Sequence, residues 1–539
     1  MVPVTRKVSL LCALLVSSIC LLLYLPVLKC GFVNFDDPEY VLNNPLIREL
    51  SPANLATMFT QPHVGWWMPL TWLSLAIDYQ FWALNPAGYH LTNIVLHAVN
   101  SGLVVLIADS LCRTAARPQL PAASGYRYAW MLLFGGLFFG VHPLRVESVA
   151  WITERKDVLN GFFAFSSILF YLHYAKGKDR RQDGWKTSIY YALSLLCFVC
   201  SLMTKSVSVV LPAMLVVLDW VPLGRMQNRS LQRLIMEKWP FWLATVLMTF
   251  FTLAFAAQSQ YLVTYEAFPL SQRAVVSGNA IWEYCRLLLF PMGLSPFNVI
   301  PDPIPTSYAV KAALVAATLA WMGIAGWRRF PRLASSTLCA ILPLLPVLAF
   351  FQNGDQSYAD RFTYLPSLSP AIFLALYFST TFRGVGIRRG VAAGAALAIA
   401  VFLVATFRQQ SVWRSPETFW SRTIQIEPLA ITYKERGRYY HAAGRYKEAV
   451  ADFTAALGMI TPTLKPFEYN FYALRAESLR EAGMLADAVA DFNTAIGLHP
   501  HPSYYFHRGL ALQAMGKNAE AEEDFRRAGP DPGPINWVD

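Results

Sequence analysis

The sequence predicts an all-α protein in two parts: a polytopic bundle of about eleven membrane spans with interfacial helices, then a C-terminal α-solenoid of paired helices. Three observations carry this. The chain is 55% hydrophobic and 14% aromatic but only 15% charged over 539 residues, too apolar for an ordinary soluble protein. Apolar segments long enough to cross a bilayer, or nearly so, recur throughout its first three quarters. After Phe407 the composition turns polar, and small and aromatic residues return in a fixed register.

The spans are placed near residues 9–28, 91–112, 128–142, 158–175, 187–203, 206–220, 239–257, 308–326, 334–351, 366–382 and 390–407, an odd number of crossings. Basic residues cluster between them: Arg113, Arg117 and Arg127; Lys176, Lys178, Arg180, Arg181 and Lys186; Arg225, Arg229, Arg233 and Lys238; Arg328, Arg329 and Arg332; Arg383, Arg388 and Arg389. The net charge of +11 is thus topological, and no nucleic-acid partner is expected. If these loops are cytoplasmic, so is the N-terminus, and the loop after the first span and the C-terminal tail lie outside. The first apolar run follows Arg6-Lys7 but lacks a small-residue cleavage site, so an uncleaved span is expected.

Directly after that span comes Gly31-Phe-Val-Asn-Phe-Asp36-Asp37-Pro38. Adjacent carboxylates near low dielectric each raise the cost of ionising the other. Either this is a turn that caps the next segment, since Asp and Asn bond their own backbone and Pro fixes φ, or one carboxylate is a general base facing a membrane-embedded substrate. Alone, the stretch favours the turn. The remainder of this outer loop, to about Tyr89, is expected to lie along the membrane as short helices, with Trp66, Trp67, Trp72 and Trp82 as interfacial anchors.

A second outer stretch, residues 142–157, crowds His142, Arg145, Glu147, Glu154, Arg155, Lys156 and Asp157 between two spans. Ionisable groups at membrane depth are costly, so this density of both signs points to function. Lys205, in the turn Thr204-Lys205-Ser206, suits a phosphate as a point charge, and Arg361, in Asp360-Arg361-Phe-Thr-Tyr364 after Asp355, suits one bidentately. Residues 281–292, with Glu283 and Arg286, would break the span parity and are expected to form an outer interfacial or re-entrant helix. The eight cysteines lie in or beside apolar segments, and Cys197 and Cys200 lack the partners of a metal or redox site.

In the tail, aligning Gly444, Gly483 and Gly516 brings Gly437, Ala476 and Gly509 into register, then Tyr433, Tyr472 and Tyr505. Ala449, Ala488 and Ala521 follow, with Phe453, Phe492 and Phe525, and Ala456, Ala495 and Ala528. Small residues at helix crossings with aromatics at helical spacing mean stacked helix pairs, and the pattern resembles the tetratricopeptide repeat. Trp420 and Pro428 echo Phe492 and Pro500, which predicts a half-repeat joining the last span to the array. The expected domains are 1–408, a connecting half-repeat at 409–428, and about three repeats over 429–539.

The order of these pieces resembles the GT-C superfamily of polyprenyl-phosphate-sugar-dependent glycosyltransferases. Within it, the chain looks like the transmembrane and tetratricopeptide-repeat-containing O-mannosyltransferases and their bacterial relatives. The matching stretches are Asn34-Phe-Asp36-Asp37 with Asn43-Asn44-Pro45, His142-Pro143 with Glu147, Arg155-Lys-Asp157, Thr204-Lys205 with Asp219, and Asp360-Arg361-Phe-Thr-Tyr-Leu-Pro366. The resemblance implies an inverting membrane glycosyltransferase that moves a sugar from a polyprenyl-phosphate carrier to Ser or Thr of an exported protein held by the repeats. It also implies a bacterial inner-membrane setting with the repeats extracytoplasmic. Asp36 is then the base, with Asp37 orienting it or binding a divalent cation, and the reverse assignment stays open. Arg155, Lys156, Lys205 and Arg361 become candidate donor-phosphate ligands, and His142, Glu147, Glu154 and Asp157 candidate sugar or acceptor contacts. The alternatives are a lipid-linked polysaccharide ligase or polymerase, and a non-enzymatic scaffold or transporter.

Overall fold

An apolar segment that has no water for its backbone must bond internally. The expected segments are helical accordingly. Arg6–Tyr24, Pro86–Thr114, Gly125–Gly140, Arg155–Asp179, Trp185–Leu202, Leu211–Trp220, Trp239–Gln258, Thr306–Trp321, Pro331–Ile341, Leu368–Thr380 and Val385–Gln409 fall on them, with 3-10 turns replacing α-helix at Ser206–Val210, Leu342–Val347 and Ala349–Phe351. Among the described residues, 6 helices are long and apolar enough to cross a membrane, and shorter apolar ones lie at Ser206–Trp220, Trp239–Phe255 and Pro331–Val347. The computed structural model describes residues 6–114, 125–179, 184–258, 264–351, 356–380, 385–530, 532, 533 and 535. Arg117, Arg180, Arg181, Arg383 and Asp355, and the side chains of Arg388 and Arg389, lie outside the described residues. The chain divides into two units, Met1–Arg414 and Ser415–Asp539.

In the first unit the Pro86–Thr114 helix sets the frame. His90, Asn93, His97 and Asn100 recur every three or four residues on it, a polar stripe on an otherwise apolar span, and all four are buried. Together they tie down three pieces of chain. His90 Nε2 meets Cys30 O at 3.1 Å, Asn93 donates to Trp151 O at 3.1 Å, and His97 and Asn100 both meet the Tyr364 hydroxyl at 2.9 Å. Three of the polar stretches that the sequence singles out are therefore anchored to one helix. That stripe was legible as a period of 3.6 but is not among the motifs read from the sequence.

The loop after the first span is built of short helices, Pro52–Thr60 and Pro69–Trp82 among them. A two-stranded antiparallel pair, Asn298–Val299 with Gln356–Tyr358, brings in the stretch before Arg361. The region expected as a short helix at 281–292 is one 20-residue helix, Leu270–Leu289. Its Glu283 is held by Arg286 at 2.5 Å and Lys311 at 2.7 Å, which accounts for the charges that made the segment look interfacial.

In the second unit, helices Ala430–Ala442, Tyr446–Leu457, Glu468–Glu481, Leu485–Leu498, Pro502–Ala514 and Asn518–Ala528 form three pairs. Gly444, Gly483 and Gly516 turn each pair at φ between +72 and +79, the left-handed region that favours glycine. Gly437 and Gly509 are small for a different reason, since a Cβ there would lie 2.9 Å from Phe453 and 2.7 Å from Phe525. A feature absent from the sequence reading repeats with them. Arg436, Arg475 and Arg508 each grip Asp452, Asp491 and Asp524 through two hydrogen bonds of 2.6–2.8 Å. Each Arg also reaches the preceding pair's second helix, at Thr454 for Arg475 and Asn493 for Arg508. For Arg436 that partner is Ser421 on Pro416–Ile426, beside the buried Trp420.

Candidate active site

The acidic pair divides its labour. Asp37 is buried, its Oδ2 accepting from Val33 N at 2.8 Å and its Oδ1 from Thr153 N at 3.2 Å and Thr153 Oγ1 at 2.5 Å. Burial outweighs these bonds and pushes its pKa up to about 6. Asp37 is thus the turn former, pinning Pro38–Leu42 to the Ile152–Glu154 turn. Asp36, one residue before, turns outward: its side chain is 34% exposed and lies 3.6 Å from Lys156 Nζ. Among the described residues, no three His, Cys, Asp or Glu side chains are grouped to hold a metal.

Behind Asp36 is a hub of ion pairs. Glu154 is fully buried and approaches three cations: Lys156 Nζ at 3.2 Å, Arg361 Nε at 3.3 Å and Lys205 Nζ at 3.5 Å. Each cation has a second carboxylate of its own. Lys156 has Asp36 at 3.6 Å, Lys205 has Asp157 at 2.5 Å, and Arg361 has Glu147 at 2.5 Å. Burial acts against the Arg361 charge, but Glu147 and Glu154 outweigh it and hold its pKa above the ordinary arginine value. Arg361 is further fixed by Gln356 and by its backbone N–H, which donates to Glu147 at 2.9 Å.

Asp36, Lys156, Lys205 and Arg361 all face one cavity of about 290 Å³. Its opposite lining is aromatic and apolar: Tyr40, Trp66, Trp67, Met248, Phe255 and the Pro346–Leu348 stretch. Two of the expected interfacial anchors are therefore cavity walls. A tight turn at Val64 and Gly65, both with positive φ, closes a bridge between His63 and Trp66 and delivers the two indoles. Trp67 is then locked by an indole bond to Phe59 O at 3.0 Å and by stacking on Phe251.

Several predicted site residues are elsewhere. Arg155 spends its guanidinium on Asp78 at 2.6 Å, Asn93 at 2.5 Å, Ser74 at 2.7 Å and Tyr89 O at 2.9 Å, and its side chain is sealed. It is a structural clamp rather than a phosphate ligand. The reason is helical geometry: neighbouring residues point about 100° apart, so Arg155 and Lys156 cannot share a face. His142 is buried against Phe138 and Phe402, with Nε2 at 3.0 Å from Leu288 O, and does not reach the cavity. Glu147, Glu154 and Asp157 pair with the cations and do not line this cavity, although Asp157 lines a small second one with Lys205 and Arg361. The cysteines are all free, including Cys197 and Cys200.

These features define a class, an integral membrane protein whose helical unit encloses a carboxylate-bearing, cation-lined cavity and whose second unit is a tetratricopeptide array. Residues 502–528 match the tetratricopeptide repeat family. The chain is similar to the protein O-mannosyl-transferase Tmtc1 of Drosophila melanogaster, 25% identical over 84% of this chain and 62% of the relative. It is 23% identical to TMTC1 of Homo sapiens, over 83% of this chain and 54% of the relative. To TMTC2 of Mus musculus it is 29% identical over 40% of this chain and 24% of the relative. Its homologues are thus named protein O-mannosyl-transferases, and it spans less than two thirds of their length.

Proposed function

We propose that this protein is a GT-C-type membrane glycosyltransferase, moving a sugar with inversion from a polyprenyl-phosphate carrier to a Ser or Thr hydroxyl of an exported protein. The observation that carries this reading is the common cavity of Asp36, Lys156, Lys205 and Arg361. A carboxylate opposite nothing but water would be a surface acid; one facing three cations in a shared cleft is arranged for an acid–base step beside an anion. The acceptor hydroxyl oxygen attacks the anomeric carbon opposite the phosphate, and Asp36 takes the hydroxyl proton. The carbon–oxygen bond to phosphate breaks, the phosphate keeps the electron pair, and Lys156, Lys205 and Arg361 offset its added charge. Polyprenyl phosphate and the glycosylated protein are the products.

The charge balance supports a monophosphate donor. Glu147, Glu154 and Asp157 already offset the three cations from behind. A nearly neutral wall suits a phosphodiester with one charge better than a diphosphate, which a polysaccharide ligase or polymerase would use. The apolar lining from Met248, Phe255 and Pro346–Leu348 suits a prenyl chain. The repeats serve as the acceptor-binding surface, on the same extracytoplasmic side as the cavity in a bacterial inner membrane, with the N-terminus cytoplasmic.

The test is intact mass spectrometry of envelope proteins from cells producing wild type or Asp36→Asn. The variant is expected to accumulate normally while an envelope protein loses the mass of a sugar. Unchanged glycans at normal abundance overturn the catalytic reading. A reporter fused after Asp539 checks the orientation, since activity only in the cytoplasm puts the acidic loop on the wrong side.

A further inference from the structure

We infer that Glu154 is a positioning residue, the buried counter-charge that holds Lys156, Lys205 and Arg361 on the cavity wall as one anion-binding cradle. This deepens the preceding proposal and rests on its reading of the cavity as a phosphate site.

The argument is geometric. Glu154 is fully buried and absent from the cavity lining, whereas all three of its cationic neighbours line it. They come from three separate places: Lys156 from the start of the Arg155–Asp179 helix, Lys205 from the turn before Ser206–Val210, and Arg361 from the Asp360–Thr363 turn. Glu154 Oε1 serves Lys156 and Arg361, and Oε2 serves Lys205. No other carboxylate among the described residues is paired with all three. Cations gathered this closely repel, and in a site shielded from water that repulsion is strong. Asp157, Glu147 and Asp36 each pair with one cation and fix its outer side, but only the hub makes the three into a set.

A group of this kind contacts no substrate. Its removal should cost anion binding while leaving the apolar part of the cavity intact. That split distinguishes it from a residue needed merely for folding.

The test uses the full-length protein in detergent, with calorimetric titration of farnesyl phosphate and of farnesol, the same chain without the anion. Wild type is expected to bind farnesyl phosphate more tightly than farnesol. Glu154→Gln, which keeps the shape and removes the charge, is expected to weaken farnesyl phosphate at least tenfold and leave farnesol unchanged, with Glu154→Asp recovering part of the loss. Equal farnesyl phosphate affinity in Glu154→Gln and wild type overturns the inference about Glu154 alone. No phosphate preference in wild type overturns the donor-site reading and the cradle with it. Should Glu154→Gln fail to accumulate, the charge-balanced Glu154→Gln, Lys205→Gln pair is expected to restore accumulation. Its failure to do so overturns the counter-charge role.

Discussion

The repeat unit makes one ion pair three times over, whereas the membrane unit makes one cluster of three cations and four carboxylates that occurs once. In the repeats, Arg436, Arg475 and Arg508 each meet an Asp sixteen residues on, with the guanidinium lying over Tyr433, Tyr472 or Tyr505 at 5.5–5.6 Å. These three guanidiniums are spent within the array. In the cluster, the partners come from stretches more than 200 residues apart, as with Glu147 and Arg361, and three cations keep a face on open space. The comparison separates two uses of charge. A pair that recurs with the structural period and closes on itself holds helices together; a cluster that appears once and borders a cavity is available to a ligand. Density of charge alone does not separate them.

This contrast can be broken at several points. The largest effect is expected at Asp36: Asp36→Asn should lower transfer by about 10²- to 10⁴-fold, as loss of a general base does, with the melting temperature unchanged. Activity above a tenth of wild type would put Asp36 with the structural carboxylates. Next comes Asp37, whose folded pKa of about 6 exceeds the reference 3.8. The folded carboxyl holds its proton more tightly than the unfolded one, so its stabilisation is full below the unfolded value and is lost as pH rises through about 6. At about 1.4 kcal/mol per pH unit, this amounts to at most about 3 kcal/mol. Melting curves at pH 5 and pH 7 should show wild type gaining stability at the lower pH relative to Asp37→Asn.

Arg361→Lys keeps the charge but gives up the paired contacts to Glu147 and Gln356. We expect farnesyl phosphate binding to weaken about tenfold, or about 1.4 kcal/mol, because a lysine cannot reproduce a planar fork. The smallest effect belongs to the clamps. A double-mutant cycle on Arg475 and Asp491 should give a coupling of about 1 kcal/mol, since the pair is bidentate but partly exposed. Farnesyl phosphate affinity should not move. If it does, the two charge systems are not separate in function.

Much of the fold was legible because it rests on periodicity. Apolar runs of bilayer length give helices whatever surrounds them, and the repeat register gives stacked pairs because Gly444, Gly483 and Gly516 supply the left-handed turns while Gly437 and Gly509 leave room for Phe453 and Phe525 where helices cross. The clamp residues stood in the same register, each one position before Gly437, Ala476 and Gly509, so they too were open to reading. The polar stripe from His90 to Asn100 was available on the same terms.

The site was legible only as a neighbourhood. Sequence placed Asp36, Asp37, Glu154, Arg155, Lys156, Asp157, Lys205 and Arg361 on outer stretches by charge and topology, and by itself it determined no more. Adjacent residues on a turn or helix point in different directions, and which direction faces a cavity is set by what packs on the other side. Thr153 and Val33 claimed Asp37 and freed Asp36. Asp78 and Asn93 claimed Arg155 and left Lys156 beside Glu154. Thr153, Asp78 and Asn93 lie far along the chain from the residues they bind, so only the tertiary structure could choose between neighbours that the sequence presents as equals.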